Sequence, residues 1–160
     1  MDKLLKLLSA NSEFTTSEIA TILDEPEDYI KAQIKEYENK GIIKGYQAVV
    51  NWEQSDESCV EALIELKVTP KKETGFDEMA EKCMEFEEVE SVYLMAGSYD
   101  FALIVKGETM QDIAMFVAKK LSTIDGVLST GTHFILRRYK ERGMNLTSSD
   151  NSSDGRSLIL

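Results

Sequence analysis

The chain has 160 residues, 42% hydrophobic and 29% charged, with a formal net charge of −11 at pH 7. That composition is globular, with room for one ordinary domain or two small ones. No apolar run approaches the roughly 20 residues of a membrane span, and two distant cysteines with one histidine are too few for a zinc site and weak support for a disulfide. In chain order, MDKLLKLLSANSE reads as a short helix with Leu4, Leu5, Leu7 and Leu8 turned inward. Its apolar stretch is too short for a signal peptide, so the chain is expected to be cytoplasmic. A second helix opens at Thr15 or Thr16, where Thr15-x-x-Glu18 has capping-box spacing and Ile19, Ile22 and Leu23 form one apolar face. A third opens at Pro26 and buries Ile30, Ile34 and Tyr37. Gly41 fits its stop, and Ile42–Tyr46 alternates into a strand ending near Val50, part of a small hairpin.

Two helices joined by a few residues, the second with a free outer face, present a helix to the DNA major groove. Gene regulation is therefore the leading functional expectation. Lys31 and Lys35 lie outward on the third helix, suited to phosphates or bases, and Gln33 lies nearer the buried edge, suited to a base edge. The alternative is a solvated face whose lysines balance nearby acids. Residues 1–45 carry six lysines against nine acids, and no arginine precedes Arg137. Asp24, Glu25, Glu27 and Asp28 crowd the start of the third helix, where carboxylates favour the helix dipole but oppose a phosphate backbone.

Asn51–Ser58 is polar and reads as a connector. Val60 to Val68 then alternates as a strand, Phe76, Met79, Ala80 and Cys83 mark a helix, and strands follow at about Val89–Ala96 and Phe101–Lys106. Thr109, with Asp112 three residues on, caps a helix whose inner face is Ile113, Val117, Leu121 and Ile124. The last strand runs from Val127 to about Arg138. The order βαββαβ is that of ferredoxin-like domains, with both helices on one sheet face. Leu63, Tyr93, Met95 and Ile104 fall on the other face, an apolar patch that self-association would cover. Residues 144–160 are Ser-, Asp- and Asn-rich and expected to be disordered.

Three stretches carry a resemblance: Gly41-Ile-Ile-Lys-Gly-Tyr46, Gly97-Ser-Tyr-Asp100, and Asp125-Gly-Val127 through Thr130-Gly-Thr132. With the element order they make residues 2–140 similar to the leucine- and asparagine-responsive regulators, the Lrp/AsnC family. The resemblance implies an α+β chain, with a winged helix-turn-helix over 1–50, a linker over 51–58 and a ferredoxin-like effector-binding and oligomerisation domain over 59–143. It further implies a homodimer, often assembled into rings of dimers, that binds double-stranded DNA and an amino acid or similar small molecule. On this reading Asp100 takes the effector's ammonium, Tyr99 forms a wall, Gly97 opens backbone N–H groups to its carboxylate, and Thr130 and Thr132 add hydroxyls. Without the resemblance, Asp beside Gly is ordinary turn chemistry. Ser98 stands where the family usually has an acidic residue.

His133 is the one residue with an obvious catalytic side chain, and siroheme decarboxylases resemble this architecture. A single histidine without a nucleophile or metal set is more often a sheet residue, so no catalytic residue, metal or cofactor is expected. A remaining alternative is an amino-acid-sensing oligomer whose acidic head binds DNA weakly or not at all.

Overall fold

Asp2 opens the first helix, α1 (Lys3–Ala10), by accepting a hydrogen bond from the Leu5 N–H at 3.0 Å. The computed structural model describes residues 2–57, 59–70 and 75–147. These form two compact units, residues 2–50 with 140–147 and residues 51–139. The expected disorder over 144–160 lies outside the described residues from 148 onward, and Met144 and Asn145 are ordered as a strand.

In the first unit, α2 (Thr16–Leu23) starts from a complete capping box. The Thr15 hydroxyl accepts from the Glu18 N–H, and Glu18 accepts from the Thr15 N–H. Asp24 reverses the chain in left-handed backbone, and α3 (Glu27–Asn39) follows with Pro26 as its N-cap. The α3 stop is a Schellman motif. Gly41 has φ +67°, its N–H bonds the Glu38 carbonyl, and the Ile42 N–H bonds that of Tyr37. Leu4, Leu7, Ile19 and Ile30 form the core, with Phe14, Leu23, Ile34 and Tyr37 packed around it. The Tyr37 hydroxyl donates to Asp2 at 2.5 Å and ties α3 to the start of α1.

Two local expectations fail here. Ile22 is 47% exposed, because Ile19, Ala20 and Leu23 already fill the narrow face that an eight-residue helix turns inward. Residues 43–50 form no strand. The next segment turns into a 3-10 helix, Trp52–Gln54, instead of returning as a partner, so Ile42, Tyr46 and Val50 stay exposed. The hairpin of this unit comes from elsewhere in the chain, as β5 (Lys140–Glu141) and β6 (Met144–Asn145).

The second unit runs β1 (Val60–Val68), α4 (Asp77–Met84), β2 (Val89–Leu94), β3 (Phe101–Gly107), α5 (Met110–Lys119) and β4 (Val127–Phe134). The sheet is antiparallel throughout, in the order β2-β3-β1-β4. Ala62, Ile64, Leu66 and Val68 of β1 meet Phe101, Leu103 and Val105 of β3 beneath Met79 and Cys83 of α4 and Ile113, Phe116 and Val117 of α5. Both helices therefore cover one face. Each such side chain taken out of water contributes roughly 1.5–3 kcal/mol, which is what fixes the helices to the sheet. A second capping box, Thr109 with Asp112, starts α5. Ile124 is partly buried against this core, and Leu121, in a 3-10 turn after α5, is fully buried. No helix among the described residues is long and apolar enough to cross a membrane.

The opposite sheet face carries Glu61, Leu63, Glu65 and Lys67 of β1, with Ile104 opposite Leu63 and Lys106 opposite Glu61. Leu63 and Ile104 are half-buried, while Tyr93 and Met95 are exposed. Glu61 departs from the alternation rule by being only 5% exposed. Its carboxylate lies between Lys106, at 3.6 Å, and Arg138. A buried carboxylate needs such partners, since desolvating it alone costs several kcal/mol. β4 ends at Phe134 and not at about Arg138, although the Ile135 N–H still donates to the Glu61 carbonyl at 2.9 Å; beyond it Arg138 pairs with Glu61 and Arg137 with Glu53.

Candidate functional site

At 3.6 residues per turn, Asp28, Ala32, Lys35 and Asn39 form the stripe of α3 opposite Ile30 and Ile34, and all four are exposed. Of the three residues singled out for DNA, Lys35 alone sits on this stripe, and it makes no ion pair or hydrogen bond among the described residues. Lys31 lies on the flank toward α2. Its ammonium is 2.9 Å from Glu27 Oε1, which also accepts from the Thr16 hydroxyl at 2.7 Å. The Thr16 hydrogen bond first, and Lys31 second, hold the Glu27 carboxyl below its usual range, and Glu27 in turn raises Lys31. Gln33 lies on the other flank, lining a groove with Asp2, Leu4 and Tyr29, and donates to Glu36 at 3.3 Å. Lys40, at 2.5 Å from Glu36, is likewise neutralised. Sequence reasoning missed Ala32 and Asn39, which a helical projection from Ile30 would have found.

The second cluster lies at the end of the sheet. β3 begins at Phe101, opposite Leu66, so the Val68 N–H of β1 projects past it without a ladder partner. Asp100 supplies one. Its Oδ2 accepts from Val68 at 2.8 Å, its N–H donates to the Leu66 carbonyl at 2.8 Å, and its carbonyl accepts from Met95 at 2.8 Å. Gly97 and Tyr99 lie in the loop that Asp100 closes. Gly97 is not in left-handed backbone, and a Cβ there would meet nothing within 4 Å.

Thr130 and Thr132 share one side of β4, paired with Leu66 and Ile64. That register places them on the helix-covered side of the sheet edge, Thr130 half-buried and Thr132 exposed. Since β1 runs between β3 and β4, Phe101 and Thr130 are separated by two strand spacings, roughly 9.5 Å. Within one chain, Asp100 and the two threonines flank the end of β1 and do not converge.

His133 is on the open sheet face, its Nε2 3.4 Å from Glu65 Oε1, with Gly131 beside them. Among the described residues no three His, Cys, Asp or Glu side chains gather as a metal site. Cys83 is fully buried, and burial pushes its thiol up to about 11.

These features define an α+β protein of two units, a small helical one with a helix turned to solvent and a four-stranded sheet roofed by two helices. Residues 61–144 match the Lrp/AsnC ligand binding domain. The chain belongs to the Lrp/AsnC family. It is 43% identical to the uncharacterized HTH-type transcriptional regulator YugG of Bacillus subtilis (strain 168), over 92% of this chain and 90% of that protein. It is 32% identical to the HTH-type transcriptional regulator LrpA of Pyrococcus abyssi, over 86% of this chain and 94% of that protein. A crystal structure of a Neisseria meningitidis transcriptional regulator in complex with L-Met shares the fold, with a TM-score of 0.70 at 22% identity, covering 92% of this chain and 97% of that one.

Proposed function

We propose that the chain is a sequence-specific DNA-binding transcriptional regulator that senses an amino acid or a closely related small molecule. α1–α3 serve as a helix-turn-helix head, and the sheet unit, ferredoxin-like in its element order, serves as the effector-binding and self-associating domain. The observation that carries this reading is α3 itself. Its apolar side is spent on the core of its own unit, and its outward stripe presents Asp28, Ala32, Lys35 and Asn39, all exposed among the described residues. A helix so mounted reads base edges in a major groove. Descent from a family whose relatives are named HTH-type transcriptional regulators supports it.

For the effector, the L-Met complex of the Neisseria relative supports an amino-acid ligand. Asp100 is the anion suited to an ammonium. Thr130 and Thr132 lie across β1 from it, so a site using both sets of groups takes one of them from another copy. The open sheet face, with Leu63, Ile104 and exposed Tyr93, supports a dimer.

One observation favours a second reading, a sensor with a weakened head. The carboxylates Glu27 and Glu36 neutralise Lys31 and Lys40. Selection of genomic DNA fragments by the purified protein, with and without an amino-acid mixture, separates the two. Enrichment of one palindromic motif, altered by the mixture, is the expected result. No enrichment under either condition selects the sensor.

A further inference from the structure

The β5–β6 hairpin has no place in the sheet unit or in the α3 face, yet it is built and placed for contact. Lys140 pairs with Asn145 and Glu141 with Met144, leaving a two-residue loop. Arg142 (φ 45°) and Gly143 (φ 88°) both take positive φ, the type I′ arrangement that matches strand twist. This backbone favours asparagine at the first loop position, so an arginine is there against local preference.

One hydrogen bond joins the hairpin to the segment that leaves α3, and another ties that segment back to α3. The Tyr46 hydroxyl donates to Glu38 of α3 at 3.1 Å, and Arg142 Nη1 donates to the Gln47 side-chain carbonyl at 3.2 Å. Between the hairpin, the extended segment 45–49 and the α1–α2 connection runs a groove lined by Asn11, Glu13, Gly45, Gln47, Arg142 and Met144. The hairpin therefore lies beside residues 45–49 in the three-helix unit and is the antiparallel pair that residues 42–50 were expected to form.

Charge sorts the cations of this stretch. Arg137 and Arg138 are neutralised by Glu53 and Glu61 of the second unit. Among the described residues Arg142 bonds a neutral amide and no carboxylate, and it is exposed, as is Lys140. In a head where Glu27 and Glu36 cancel Lys31 and Lys40, these two side chains restore positive charge at its edge.

We infer that the β5–β6 hairpin is the wing of the DNA-binding head, with Arg142 at its tip contacting the phosphate backbone beside the groove that α3 enters. This rests on the reading of α1–α3 as a DNA-binding head. A phosphate contact positions the protein without reading sequence. It should therefore weaken with salt and be indifferent to base identity.

The test uses the full chain and fluorescence anisotropy on a selected duplex and a scrambled one, across about 50 to 200 mM salt. Arg142→Asn is the informative variant, because Asn-Gly is a preferred type I′ loop and keeps the hairpin while removing the charge. The slope of log K against log salt should become shallower by about 0.9 for each hairpin engaged, about 3.5-fold in affinity over that range. The loss should be equal on both duplexes, and Arg142→Lys should restore the slope. Lys35→Ala, run in parallel, should weaken binding to the selected duplex more than to the scrambled one. An unchanged slope in Arg142→Asn, with Lys35→Ala still impaired, overturns the wing and leaves the head standing. A wild-type chain that binds neither duplex overturns both.

Discussion

Replacing Asp100 by alanine removes the acceptor for the part-buried Val68 N–H, which has no strand partner beyond the start of β3. A hydrogen bond to a carboxylate contributes about 1.5–3 kcal/mol, and an orphaned donor costs about 1–3 kcal/mol, so a loss of about 2 kcal/mol is expected. At roughly 4–8 °C per kcal/mol for a domain of this size, that is roughly 8–16 °C in the calorimetric Tm of the second unit. Asp100→Asn separates the two roles of the side chain. It keeps a carbonyl for Val68, so it should lose less than half as much stability, but it no longer offers a charge to an ammonium. Amino-acid affinity should then fall by about 2 kcal/mol or more, roughly thirtyfold. Scanning calorimetry and titration calorimetry on the three proteins measure both quantities. A wild-type Tm in Asp100→Ala refutes the hydrogen-bond account, and wild-type affinity in Asp100→Asn returns Asp100 to turn chemistry alone.

On α3, Lys35→Ala should weaken binding to a selected DNA site by about 1 kcal/mol per head, while Asp28→Asn should tighten it by relieving repulsion from the backbone; competition binding measures both. The Asp2 carboxylate raises Tyr37 to about 12 from an ordinary value of 10.0. Because the folded value is the higher one, this contact contributes fully below about pH 10 and is lost as pH rises through about 12. Urea midpoints between pH 9 and 12 should show the fall, and Tyr37→Phe should remove that component. Cys83, fully buried with its thiol raised to about 11, should resist alkylation in the native protein while the partly exposed Cys59 reacts. Mass spectrometry should find one adduct in buffer and two in denaturant.

What could be read in advance was local. Both capping boxes, Thr15 with Glu18 and Thr109 with Asp112, are four-residue patterns whose chemistry closes within one turn. Gly41 marked the α3 stop for the same reason, since only glycine enters left-handed backbone without penalty. The period-2 pattern of Val60 to Val68 separated the two sheet faces, because side-chain alternation follows from the pleat. What stayed hidden depends on distant partners. Asp100 meets Val68 across 32 positions, and Glu61 is buried because Lys106 and Arg138 arrive from β3 and from beyond β4. The hairpin at 140–145 gave no turn signal, since Arg-Gly is not a favoured type I′ pair. Its association with the first unit spans 95 positions, from Gln47 to Arg142. Of the candidate DNA residues, Lys35 was legible from helical phase, whereas the pairing of Lys31 depends on Thr16 and Glu27 positioning one carboxylate.

A DNA-reading head coupled to an amino-acid site makes the two binding equilibria interdependent. Equilibrium binding of the full chain to a selected duplex, titrated with each of the twenty common amino acids, tests it most directly. Linkage requires the effect to be reciprocal. At least one amino acid should change the affinity for DNA, and saturating DNA should change the affinity for that amino acid by the same factor. DNA binding that no amino acid alters would contradict the account.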